Sequence, residues 1–179
     1  TERSGTNLLR RILGSHSDIS APHPIESSFP SSSFDSIPAK KAPTLVRDIL
    51  INMYYSHHAL IEAIDVNDVV KQIDDCSLYS LQQGLYGAFA NANDSGKWVS
   101  KWPSNINQVE GIDRYYDNPK YIHLVRDCRD VVLSNKNNEA GKFHPYFAAQ
   151  TWRDEQEKIL NFTDETSNTV HLIQYEDLL

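Results

Sequence analysis

Apolar residues recur at helical spacing near the start of the chain. Leu8, Leu9, Ile12 and Leu13 fall on one side and Arg10 and Arg11 on the other, which predicts a short amphipathic helix from Thr6 to Ser15. Between Ser17 and Pro43 the periodicity is lost. Pro22, Pro24, Pro30, Pro38 and Pro43, together with a Ser-rich run, predict an irregular surface loop there. Helical character returns over 45–64 and 66–73. From Leu78 to Ala90, Leu78, Leu81, Leu85 and Phe89 make one apolar stripe, the pattern of a helix packed on a core. Lys97 to Lys101 reads as a short strand, and Ile106 to Tyr116 as a helix that closes before Asn118-Pro119. Tyr121-Ile122-His123-Leu124-Val125 is a compact apolar run of strand length, and from Val131 the chemistry turns helical. A further helix is expected from Phe147 to Phe162. A further strand is expected at Val170-His171-Leu172-Ile173, ending at Tyr175-Glu176-Asp177.

Strands that alternate with helices imply an α/β fold of three layers, a mostly parallel sheet flanked by helices. Ligands in such folds bind at the C-terminal ends of the strands. The 179 residues, 40% of them hydrophobic, suffice for one sizeable core, so a single domain over 1–179 is expected. No stretch approaches the ~20 apolar residues that cross a bilayer. A net charge of -7 argues against a general nucleic-acid surface, which needs clustered Lys and Arg, so any anion site must be local. Cys76 and Cys128 fit neither a zinc spacing nor a disulfide framework. Asn93-Asp94-Ser95 and Asn161-Phe162-Thr163 match the glycosylation pattern, one short enough to arise by chance. The chain opens at Thr1 rather than at a methionine, so a fragment is expected. Its compartment stays open.

Two segments carry candidate chemistry. Arg3-Ser4-Gly5-Thr6-Asn7 precedes the first expected helix, so its backbone N–H groups and the helix dipole favour an anion in the turn. Gly5 permits close backbone approach, Ser4, Thr6 and Asn7 add donors, and Arg3 brings a permanent charge. An ordinary capped helix start fits the same residues. The loop is not a Walker motif, because G-x-x-x-x-G-K-[ST] is missing. The second segment, Val125 to Ser134, follows the best strand. There Arg126 emerges at the strand's C-terminal edge and Ser134 lies on the next helix, so both can serve one phosphate. Asp127 and Asp130 have the spacing of a helix cap, and Arg129 is expected to pair with a neighbouring carboxylate.

Four ordered motifs together resemble the sulfotransferase superfamily. They are Arg3-Ser4-Gly5-Thr6 with Leu8-Leu9-Arg10, Lys101-Trp102-Pro103, Ile122 through Ser134, and Tyr175-Glu176-Asp177-Leu178-Leu179. The resemblance runs from Arg3 to Leu179 and is nearest to the branch of tyrosylprotein sulfotransferases and their bacterial-type relatives. It implies a P-loop NTPase-like sulfotransferase fold, here truncated at both ends, without the strand that feeds Arg3 and a C-terminal donor-binding segment. It also implies transfer of the sulfuryl group of 3'-phosphoadenosine 5'-phosphosulfate to an acceptor hydroxyl, with no metal expected. By the same resemblance the loop Arg3, Ser4, Gly5, Thr6 and Asn7 binds the 5'-phosphosulfate. Arg126 and Ser134 bind the 3'-phosphate, and Tyr175 contacts the donor. Arg3 and Lys101 stabilise the transferring group, and Glu26 matches the general base, with His23 as a rival.

The chain departs from the family pattern at Glu2, Asn7, Trp102, Cys128 and Gln174, where Pro, Thr, Thr, Pro and Arg are usual. The acceptor stays open among a tyrosine, a sugar and a small alcohol, as does the oligomeric state. Two rival readings keep the phosphate loop: a nucleotide or small-molecule kinase, and a non-catalytic domain that binds nucleotide or a sulfated ligand.

Overall fold

The structure is a computed structural model and describes residues 3–24, 41–56, 64–73, 77–136 and 144–179. Along the chain, α1 (Thr6–Leu13) is followed by β1 (Ile19–Ser20), α2 (Ala42–Ser56), α3 (Val66–Val70), α4 (Leu78–Ala92) and β2 (Lys97–Trp98). A 3₁₀ turn at Pro103–Asn107 leads to α5 (Val109–Tyr115), β3 (Tyr121–Val125), α6 (Cys128–Lys136), α7 (Pro145–Glu165) and β4 (Val170–Gln174). A second 3₁₀ turn at Tyr175–Leu178 follows. Both strand pairs, β1 with β2 and β3 with β4, are parallel, which fits the expected α/β class. Among the described residues no helix is long and apolar enough to cross a membrane.

The chain divides into two compact units, one of residues 1–9 and 103–179, the other of residues 10–102. In the second unit the core joins Val46, Ile49 and Leu50 of α2, Val69 of α3, and Leu81, Leu85, Tyr86 and Phe89 of α4. The expected stripe is thus buried at Leu81, Leu85 and Phe89, and Tyr86 stacks on Trp98 with ring centroids 4.9 Å apart. Helix α4 starts where Ser77 accepts from the Ser80 amide, and α3 where Asp65 accepts from the Asn67 amide.

The expected loop over 17–43 needs correction at both ends. Ile19–Ser20 is a strand, held by Lys97–Trp98 rather than by any local pattern, and α2 already begins at Ala42. Pro43 is tolerated because the first turn of a helix has no intrahelical use for its missing N–H. Residues 25–40 of that segment lie outside the described residues.

In the first unit, five residue pairs align β3 with β4, from Tyr121 with Val170 to Val125 with Gln174. Leu124, Val131, Ala148, Ile159 and Phe162 are buried, and Tyr121 meets Phe162 edge-on at 5.0 Å. Helix α7 begins earlier than its apolar pattern, because His144 Nδ1 accepts from the Tyr146 amide and Pro145 sits in the first turn. Asp113 of α5 ties the unit together. Its carboxylate accepts from the Tyr121 hydroxyl at 2.9 Å, the Thr166 hydroxyl at 3.0 Å and the Asn168 amide at 2.8 Å.

Candidate active site

The register of the β3–β4 pair decides what meets at its C-terminal end. Val125 is opposite Gln174, so the next residues, Arg126 and Tyr175, emerge side by side. The Arg126 guanidinium lies over the Tyr175 ring, 4.4 Å from its centroid. Helix α6 follows Arg126 directly and carries Ser134.

Arg3, Ser4 and Gly5 are drawn to the same place. Arg126 Nη1 donates to the Arg3 carbonyl at 3.1 Å, and Arg3 Nε donates to Ser134 Oγ at 3.0 Å. Arg3 and Gly5 both have positive φ, 64° and 89°, on either side of Ser4. Backbone that alternates in this way turns successive N–H groups toward one concavity, a nest suited to an anion. An arginine in the left-handed region is strained, which marks the loop as held by its surroundings. Gly5 is required twice: by its φ, and because a Cβ there would run into the Cδ2–Cε2 edge of Tyr175.

Helix α1 starts immediately beyond. Its first backbone bond runs from the Leu9 N–H to the Gly5 carbonyl, so the amides of Thr6, Asn7 and Leu8 precede the ladder and carry the positive end of the helix dipole. Thr6 is half-buried and Asn7 exposed. Two polar atoms of the cluster are buried without a partner: Ser4 Oγ, on a residue 1% exposed, and Arg126 Nε. Donors buried in this way cost stability unless a ligand completes them.

Neighbouring groups fix the turn after β3. Trp152 Nε1 donates to the Arg126 carbonyl at 3.2 Å, and Glu176 Oε1 accepts from the Asp127 amide at 3.2 Å. Asp127 accepts from the Arg129 amide at 2.8 Å and pairs with the Arg129 guanidinium at 2.6 Å, as its cap spacing suggests. Hydrogen bonds from the Arg129 side chain and backbone pull the Asp127 carboxyl down to about 2. Burial, followed by the Asp127 charge, pushes the Cys128 thiol up. Arg126 Nη2 stands 3.9 Å from Asp130, too far for a hydrogen bond, which leaves the guanidinium able to meet another anion.

A profile of the sulfotransferase family matches residues 1–179. The chain belongs to the sulfotransferase family. Among solved structures, the sulfotransferase domain of the olefin synthase from Synechococcus PCC 7002 shares the fold with a TM-score of 0.60 at 22% identity. That likeness covers 98% of this sulfotransferase-family chain, which spans 64% of the other chain's length. No curated protein matches the sequence.

Of the residues singled out in the sequence, Arg3, Ser4, Gly5, Arg126, Ser134 and Tyr175 share one cluster, with Thr6 and Asn7 opening α1 beside it. Lys101 belongs to the second unit, half-buried after β2, and so does His23, before the stretch that is not described. Glu26 lies outside the described residues, as do Glu2 and Cys76. Sequence reasoning missed Trp152 and Glu176 as supports of the turn. Glu176 stood within a recognised motif, whereas Trp152 gave no signal, because its partner is 26 positions away.

Proposed function

We propose that the chain transfers the sulfuryl group of 3'-phosphoadenosine 5'-phosphosulfate to an acceptor hydroxyl. The observation that carries this reading is the cluster of Arg3, Arg126, Ser134 and Tyr175 around the Ser4–Gly5 turn, at the C-terminal ends of two parallel strands in a sulfotransferase-family chain. The donor set fits a doubly anionic ligand: two guanidinium groups, the buried Ser4 hydroxyl, and the amides that open α1.

In this reading the Arg3–Asn7 loop holds the 5' end of the donor, while Arg126 and Ser134 hold its 3'-phosphate. The donor supplies an activated sulfuryl group, and the protein supplies position and electrostatics for an in-line transfer. Arg3 and the N-terminus of α1 stabilise negative charge where the sulfate–phosphate bond breaks. The roles of Lys101 in stabilising that charge and of Glu26 in taking the acceptor's proton rest on the resemblance of their motifs.

A thermal-shift titration with adenosine 3',5'-bisphosphate against ATP tests the proposal. The bisphosphate at 100 times its Kd stabilises the fold by about 2.7 kcal/mol, and ATP does little. A shift with ATP alone would sink the reading. Binding of the bisphosphate without sulfuryl turnover would identify a non-catalytic binding domain instead.

A further inference from the structure

We infer that Arg10 is a positioning residue for the acceptor side: its guanidinium anchors the chain where it leaves β1 and so sets the course of the Pro22-His23-Pro24 segment. The inference rests on the reaction proposed above for its consequence, and on the packing of α1 against Ala21 for its substance.

Arg10 and Arg11 are neighbours on α1 with opposite surroundings. Arg11 is exposed, whereas Arg10 turns inward, and its Nη1 donates to the Ala21 carbonyl at 2.6 Å. Its Nε is buried and has no hydrogen-bond partner among the described residues. Burial, followed by the Arg11 charge, lowers the Arg10 pKa from its ordinary value, with the fully buried Tyr86 opposing in part. A charge held inward in this way costs stability, and an apolar residue would fill the same helix position at less cost. What the guanidinium supplies is a long, preorganised donor for one particular carbonyl.

That carbonyl stands where the chain leaves the sheet. Ser20 ends β1, and its carbonyl accepts from the Val99 amide at 2.9 Å. The next carbonyl, of Ala21, is taken by Arg10, so a side-chain bond follows directly on the last ladder bond. The end of α1 abuts the same residue: a Cβ on Gly14 would come 3.1 Å from the Ala21 Cβ. Pro22 and Pro24, both buried, then fix their own φ and confine Ala21 and His23 to extended conformations. A direction set at Ala21 is thereby carried on to His23. Because Ser20 is aligned with Trp98, His23 and Lys101 each lie three residues beyond a pair of parallel strands, at the end of the sheet where α/β folds bind ligands. Arg10, Ala21, His23 and Lys101 all belong to the second unit.

Sulfuryl transfer from 3'-phosphoadenosine 5'-phosphosulfate to a tyrosyl peptide, glucose and 1-butanol identifies the acceptor that the wild type uses fastest. Calorimetry with adenosine 3',5'-bisphosphate reads the donor site separately. Arg10→Met loses the donor to Ala21 and is expected to lower kcat with that acceptor about 10²-fold, the cost of a ~1 Å displacement at the reacting groups. It should bind the bisphosphate as the wild type does, and Arg10→Lys, which can still donate to Ala21, should recover most of the rate. An unchanged kcat in Arg10→Met would overturn the inference. So would a bisphosphate affinity that falls as far as kcat, which shows general damage, or a Lys variant no faster than the Met variant. Should Arg10→Met not fold, Arg10→Gln, whose amide is too short for the same bond, is judged by the same two numbers. If the wild type transfers no sulfuryl group or does not bind the bisphosphate, the proposed function is what fails. The anchor is then read by hydrogen exchange: faster exchange at the Ala21 and His23 amides in the variant supports it, and unchanged exchange refutes it.

Discussion

Arg3 combines a backbone strained to a φ of 64° with a side chain anchored on Ser134 and a carbonyl anchored on Arg126. Such a residue is held in place before any ligand arrives, which is what stabilisation of developing charge requires. Arg3→Ala is therefore expected to lower sulfuryl turnover by on the order of 10² to 10³. A rate near that of the wild type would remove Arg3 from the chemistry. The loop could be found in the sequence because a glycine beside an amphipathic helix start has a local signature. The strain at Arg3 could not, since it is imposed by Arg126 and Ser134, 123 and 131 positions away. The short sequon pattern has a structural setting too. Asn161-Phe162-Thr163 sits within α7, with Phe162 buried and the Thr163 hydroxyl bonded to the Ile159 carbonyl, so helix packing accounts for those residues.

The elements themselves followed from periodicity where they were long. Helices α4 and α7 and strands β3 and β4 bury or pair enough residues to leave a pattern, whereas β1 has two residues and exists only through its partner. Hydrophobic spacing put the start of α4 at Leu78, where Ser77 caps it, whereas the cap at His144 starts α7 ahead of its apolar pattern. The pairing of β3 with β4 was not written in either strand, and Asp113 is the side chain that holds their surroundings in register. Asp113→Ala leaves the Tyr121, Thr166 and Asn168 donors without their acceptor, and should destabilise the fold by about 1–3 kcal/mol in denaturant unfolding. An unchanged midpoint would show that water replaces the carboxylate at no cost.

For the molecule as a whole, charge and pH enter. The chain carries a net charge of -7, yet Arg3 and Arg126 converge on one turn, so the positive charge there is local and stands against the overall field. Burial, opposed in part by a hydrogen bond with Gln156, lowers the pKa of His123 below its ordinary 6.5. Below that pH the unfolded chain takes up a proton that the folded chain refuses, so stability falls until the folded value is passed. A second loss follows at lower pH. Asp18 is held below the ordinary 3.8 by Lys97, and Asp127 lies at about 2 beside Arg129. Burial would raise Asp113, but its three hydrogen bonds outweigh that and lower it. The stability these carboxylates contribute is present above 3.8 and is lost as pH falls toward 2. Urea midpoints measured from pH 8 downward should therefore decline in two stages, and a profile flat until the carboxylates protonate would show that half-buried His123 is not shifted. The division into two units left no mark on periodicity, which reports what an element buries but not against what. That division, with residues 1–9 joined to 103–179, bears on the expected order of assembly. Contacts so distant in sequence must wait for the chain between them, and their closure is slow. A growing polypeptide carries the Arg3 loop for 123 residues before Arg126 exists to grip it, and for longer until Tyr175 arrives. The cluster of Arg3, Arg126 and Tyr175 is thus expected to close late, and ribosome-bound chains that lack β4 should hold the helices of the second unit while failing to bind adenosine 3',5'-bisphosphate.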